Sequence, residues 1–192
     1  MSSFRFKGRV GNRYEEYAYV LDFLPQGHPL AATPIFKREP IAQVIGDKYF
    51  TLLEVVPRPG IYLSPHERVF IGKGLRDKVA RVKQRISYND LTISARDEVP
   101  MILEIIVSQQ EDRFVAFFNA ASSLTTRLHA LQLLPGIGKK YLWMILDERK
   151  RKPFESFEDI SSRTKISDPR KVIIKRIISE LMGEDKYKLF VK

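Results

Sequence analysis

The chain contains no cysteine. That absence removes disulfide scaffolds, Cys-ligated zinc, iron–sulfur clusters and any thiol nucleophile. Histidine is nearly as scarce: only His28, His66 and His129 are present, and no two stand at a metal-ligand spacing. No apolar run approaches the roughly 20 residues that span a bilayer. The basic start, Met1 to Lys7, is not followed by the apolar stretch of a signal peptide. Negative charge is also in short supply, with 23 Asp and Glu against 33 Lys and Arg, a formal net charge of +10. Together these absences predict a soluble, cytoplasmic protein with no metal site, no cofactor and no membrane, whose positive charge calls for an anionic partner.

Hydrophobic residues make up 44% of the 192, enough to bury a real core and to exclude a disordered basic tail. The charge lies in blocks. Residues 1–13 hold Arg5, Lys7, Arg9 and Arg13 with no acid and read as a flexible basic arm. Residues 68–85 set seven basic residues, among them Lys73, Arg76, Arg81, Lys83 and Arg85, against Asp77 alone. Two further basic blocks occupy 123–152 and 163–176, while 93–122 is acidic. A surface charged only for solubility would spread these residues more evenly.

Residues 14–90 read as β. Tyr17, Tyr19, Leu21 and Phe23 alternate with Ala18, Val20 and Asp22, the period of a strand. Ile41–Ile45 and Tyr49–Val56 flank Gly46-Asp47-Lys48 as a hairpin, and Glu67–Ile71 is a further short strand. Short strands with turn punctuation predict a small antiparallel barrel or sandwich. Leu75, Val79, Val82 and Ile86 then fall at helical spacing, which favours a helix there, although the alternating Arg81, Lys83 and Arg85 also suit a last barrel strand. From 91 to 192 the pattern is helical: Ser94–Gln109, Arg113–Ala121 and Leu124–Leu134, the last with His129 at its surface. The fold class expected is therefore α+β, a β domain over 14–90 followed by a helical domain over 91–192.

One motif is sharp. In Leu134-Pro135-Gly136-Ile137-Gly138-Lys139, proline stops the preceding element, the glycines permit conformations and close approaches that side chains forbid, and Ile137 plugs the gap between flanking helices. The segment resembles the helix-hairpin-helix family of nucleic-acid-binding modules, with its apolar-Pro-Gly-apolar-Gly-Lys core intact over 134–139. The resemblance implies that Gly136, Ile137, Gly138, Lys139 and Lys140 hold a phosphate backbone without reading sequence. The physics agrees, because amides at a helix N-terminus favour an anion. Downstream, Ser156–Ile160 opens a capped helix, Lys165–Asp168 turns, and Pro169 begins a helix to Met182. This reads as a degenerate second hairpin over 163–169, with Arg163 and Lys165 as secondary phosphate contacts or as a solvated basic face.

Over most of its length the chain resembles an uncharacterised archaeal family, domain-of-unknown-function family 655. The resemblance rests on Tyr14-Glu15-Glu16-Tyr17 through Leu24-Pro25, Ile71-Gly72-Lys73-Gly74 and Glu111-Asp112-Arg113-Phe114. It implies an OB-like β domain before the hairpin module and no established activity. Its gene neighbourhoods, rich in transcription, ribosomal protein and rRNA modification functions, tilt the expected partner from DNA towards RNA. On an OB-like face Tyr17, Tyr19, Phe50 and Tyr62 are the candidates to stack bases, though aromatics at strand spacing are more often core.

Catalytic constellations are missing. Gly72-Lys73-Gly74 lacks the rest of a P-loop. Asp22, Glu54, Asp97, Glu98, Glu104, Glu111 and Asp112 carry no pairing that marks a two-metal nuclease. The first expectation is thus a non-catalytic, largely sequence-independent binder of structured RNA in translation or rRNA maturation, gripping phosphates with the hairpin and with Lys73, Arg76, Arg81, Lys83 and Arg85. The alternatives are a metal-dependent nuclease or DNA-repair factor guided by the hairpin, and an adaptor whose partners are ribosomal or transcription-complex proteins.

Overall fold

A computed structural model describes residues 14–29, 32–183 and 185–192. The basic arm expected over 1–13 lies outside the described residues. Five strands, β1 (Tyr17–Leu24), β2 (Ile41–Gly46), β3 (Leu52–Pro57), β4 (Arg68–Phe70) and β5 (Val79–Arg85), form an antiparallel sheet in the order β4-β1-β2-β3-β5. Strands β4 and β5 form its two edges, so the expected barrel is realised as a curled half-barrel, open at the β4–β5 seam. Five helices follow: α1 (Ile93–Gln109), α2 (Glu111–Ala120), α3 (Lys139–Arg151), α4 (Phe157–Thr164) and α5 (Pro169–Met182). The class is α+β.

Strand alternation sorts the side chains. Ala18, Val20, Ala42, Val44 and Val55 point into the half-barrel with Val69 and Val79. Tyr19, Leu21, Ile45 and Leu52 point the other way and join Val99, Ile102, Leu103 and Ile106 of α1 in a second core that extends through α2, α3, α4 and α5. The outer face of the sheet and the helices therefore share this second core. On the same outer face runs a polar row in register across four strands: Asp22, Gln43, Glu54 and Gln84. The fully buried Gln43 accepts from Thr92 N–H at 2.8 Å and donates to the Asp90 carbonyl at 3.0 Å, and the Thr92 hydroxyl donates to Asp22 at 2.6 Å. Thr92 also accepts from Ala95 N–H, so this row fixes where α1 begins.

Two expected helices are corrected. Residues 75–86 hold strand β5, and Leu75, the first apolar position of the supposed helix, is 92% exposed. Register breaks opposite Glu54/Val55 and Val56/Pro57 place bulges at Lys83 and Ala80. Each bulge inserts one residue, so inward positions recur at Val79, Val82 and Arg85, a spacing that imitates a helix. Residues 124–134 hold a hairpin of β6 (Ser123–Thr125) and β7 (Leu128–His129), followed by a 3-10 turn over Ala130–Leu133. His129 is 8% exposed rather than superficial. Its Nδ1 accepts from Leu131 N–H at 3.1 Å, and Gln132 reciprocates by accepting from His129 N–H at 3.0 Å.

The end of the chain is tied down by a buried ion pair. Arg176 Nε donates to Glu180 at 2.7 Å, and its other nitrogens donate to the Leu133 carbonyl, Asp185 and the Tyr187 carbonyl. Glu180, fully buried, also accepts from Leu189, Phe190 and Val191 N–H groups. This network joins α5 and the C-terminal segment to the turn that precedes Pro135.

Candidate nucleic-acid interface

The 3-10 turn delivers the chain to a tight reversal at Leu134–Ile137. Ile137 N–H donates to the Leu134 carbonyl at 3.1 Å, with Pro135 second and Gly136 third at φ +81°. That is a type II turn, in which the third position requires a positive φ. Ile137 drops into the core at 5% exposure. Gly138 then caps α3 with an ordinary φ of −81°, and the place of its missing Cβ is open space within 4 Å. Neither backbone strain nor internal crowding demands glycine at Gly138. What the hydrogen side chain provides there is an unobstructed approach to the first turn of α3.

That first turn is chemically distinct. No side chain caps it, it carries no acid, and Lys139 and Lys140 occupy its first two positions, both exposed. The leading amides of any α-helix lack intrahelical acceptors. Thr92 caps α1, Ser156 caps α4, Asp168 caps α5, and Glu111 with Asp112 lines the start of α2. Among the described helices, α3 alone meets solvent with open amides and only positive side chains. Neither lysine is paired with a carboxylate among the described residues. Together these features suit an oxyanion.

The second hairpin repeats the shape without the chemistry. Ile166 is buried at 7%, as Ile137 is, and Lys165 takes the left-handed conformation at φ +59°. The following helix, however, is closed by Asp168, whose carboxylate accepts from Lys171 N–H at 2.9 Å. A carboxylate where a phosphate would sit disfavours an anion. Arg163 is committed internally: it pairs with Asp159 and Glu148, donates to the Glu148 and Lys152 carbonyls, and lies 4.6 Å from the Phe154 ring centre. Lys165 remains exposed.

The basic residues around β5 divide. Lys73, Arg76 and Arg85 line one cleft of about 450 Å³ at the mouth of the half-barrel, with Tyr14, Leu53 and Val82. There Arg76 Nε donates to the Gly72 carbonyl and Lys73 lies 5.1 Å from the Tyr14 ring. Arg81 instead binds Glu39 through two contacts of 2.6 and 2.8 Å, and Lys83 faces Glu54 at 3.6 Å. Of the stacking candidates, Tyr19 and Phe50 are core residues. Tyr17 is met by the Arg68 guanidinium and by the Phe70 ring, and exposed Tyr62 forms a T-shaped pair with Phe23. The groups of three or more acidic or histidine residues that a metal ion needs are absent among the described residues, and no helix there is long and apolar enough to cross a membrane.

Arg127 and Trp143 belong to no motif of the sequence. Trp143 stands four residues beyond Lys139, and that helical spacing is the signal that marks it.

A crystal structure of Af1531 from Archaeoglobus fulgidus superimposes with a TM-score of 0.85 at 53% identity, covering 93% of this chain and all of the other. An uncharacterised protein of Methanocaldococcus jannaschii is 47% identical over 182 residues, 94% of this chain and 81% of that protein. Residues 14–192 match the family model described as a protein of unknown function, DUF655. With the whole described fold inside that match, the chain belongs to the DUF655 family.

Proposed function

We propose that this protein binds nucleic acid, structured RNA in the first instance, by gripping backbone phosphates at the Pro135–Lys140 turn, without catalysing a reaction. One observation carries the reading: α3 begins with uncapped amides, a glycine that the fold does not require, and two unpaired lysines. A phosphate placed there accepts from the helix amides, gains from the helix dipole and from both ammonium groups, and meets no base edge, so binding is indifferent to sequence. Lys73, Arg76 and Arg85 at the half-barrel mouth supply a second basic site for the same ligand. The preference for RNA rests on the family resemblance alone.

The test is a binding series by fluorescence anisotropy against RNA stems of unrelated sequence at several salt concentrations. Replacing Lys139 and Lys140 by Glu should weaken every stem alike. Replacing both by Ala should flatten the log–log salt slope by about 2, since each duplex phosphate neutralised contributes roughly −0.9. Undiminished affinity and slope would remove the hairpin from the interface.

A further inference from the structure

Beside the hairpin lies a groove of about 370 Å³ between the exposed face of α3 and the β6–β7 hairpin. Lys139, Leu142, Trp143 and Leu146 line it from the helix, at the spacing that places residues on one face. Leu128 and buried Leu142 make an apolar floor. Arg127 and Lys139 are the charged residues of the lining, and no carboxylate is among it. His129 and Gln132 complete the wall, each spending one end on the 3-10 turn: Nδ1 of the histidine and Oε1 of the glutamine are engaged, leaving an Nε2 donor on each.

Trp143 is 60% exposed, and no ring, cation or hydrogen-bond partner meets it among the described residues. A large apolar ring left in water beside a groove with an apolar floor and two unpaired cations is ready to stack on something flat and anionic. The groove's volume lies at the small end of ligand pockets, room for a single planar group rather than for a helix or a peptide strand. Its chemistry is ordered along one helix face: phosphate-binding amides and Lys139 at the end, the indole one turn further along. That order matches a nucleotide, with its phosphate at one end and its base at the other.

We infer that the groove takes an unpaired base, stacked on Trp143, from the strand whose adjoining phosphate is held by the hairpin. This rests on the proposed phosphate grip and narrows it: the ligand is a stem flanked by single strand, or a bulged or frayed nucleotide, rather than a continuous duplex. Stacking is tolerant of base identity, and the Nε2 donors of His129 and Gln132 set whatever preference exists.

Trp143 is the one tryptophan of the chain, so its emission reports the groove directly. The full-length protein is titrated with two RNA duplexes of equal phosphate count, one blunt and one carrying unpaired adenosines beside a shorter stem. Affinity is read by anisotropy and stacking by tryptophan quenching. The tailed RNA is expected to bind more tightly, on the order of tenfold, and to quench the indole, while the blunt RNA does neither. Trp143→Ala should abolish the preference and leave blunt affinity unchanged, and Trp143→Phe should retain part of it. Equal affinities with unaltered emission would overturn the inference, and so would a Trp143→Ala loss shared equally by both RNAs. In either case a continued loss on replacing Lys139 and Lys140 would leave the phosphate grip standing. Failure to bind either RNA would remove both.

Discussion

The two glycines of the Pro135–Lys139 turn should behave as opposites when each is changed to alanine. Gly136 sits at φ +81° with no atom near its absent Cβ, so Gly136→Ala adds no clash and costs only the left-handed strain of an L-residue, about 1–2 kcal/mol. For a chain of 192 residues that corresponds to roughly 2–8 °C in the melting temperature. Gly138 has an ordinary φ and equally open surroundings. Alanine there is a poorer helix cap by some tenths of a kcal/mol but gains about 0.4–1 kcal/mol by restricting the unfolded chain, and the two effects nearly cancel. Thermal unfolding should therefore find Gly138→Ala within about 2 °C of the parent. Binding should reverse the ranking. A methyl group at the approach to the first turn of α3 holds a phosphate away from the amides. Losing one charge-assisted contact of about 1.5 kcal/mol weakens RNA binding roughly tenfold. Parental affinity in a folded Gly138→Ala protein would refute the close-approach argument. A melting loss as large as that of Gly136→Ala would refute the backbone argument.

Other outcomes follow from buried polar groups. Arg176→Ala strands the fully buried Glu180 and frees the C-terminal segment; chemical denaturation should show a loss of about 3–5 kcal/mol, and a change below about 1 kcal/mol would contradict the network. Glu15 accepts from the Lys48, Tyr49 and Thr51 amides, and a Cβ at Gly46 would lie 2.0 Å from its carboxyl carbon. Glu15→Ala and Gly46→Ala should each destabilise by about 2–4 kcal/mol, and the double variant by less than their sum, because both disturb one contact. Burial, and secondarily Arg149, pushes the His129 imidazole below its ordinary 6.5. The unfolded chain therefore takes up the proton first: this stability is intact above pH 6.5 and is lost as pH falls through the lowered folded value. Melting temperatures at about pH 7.5 and 5.5 should show His129→Asn, which keeps an acceptor for Leu131 N–H, falling less than the parent on acidification.

What the sequence disclosed and what it concealed divide by range. The Pro135–Gly136 turn was readable because proline fixes its own φ and glycine accepts the positive φ that other residues avoid, and the starts of α4 and α5 because Ser156 and Asp168 cap from within three residues. Strand β1 declared itself by alternation. β5 did not, because its bulges are set by the register of β3 and turn a period of two into one of three. The segment 123–134 carries leucines at helical intervals, yet the hairpin and the 3-10 turn are held by reciprocal bonds between His129 and Gln132 and by packing from elsewhere in the chain. Arg176 lies in the basic block 163–176, and nothing in the block itself marks it as buried. Its pairing with Glu180 is local, but its burial depends on Leu133, Asp185 and Tyr187, far from it or across a turn. The start of α3 after Gly138 was legible for the same reason, being local. The groove beside it was not, since Arg127 and Leu128 reach Trp143 only through the fold.

The most direct measurement follows the backbone amides themselves by two-dimensional NMR as RNA is added at low and at high salt. The Gly138, Lys139, Lys140 and Tyr141 resonances should shift on binding, ahead of those at the capped start of α5, and should return towards their free positions as salt is raised. Saturable binding that leaves these four amides unmoved would contradict the claim that the turn before α3 holds the phosphate.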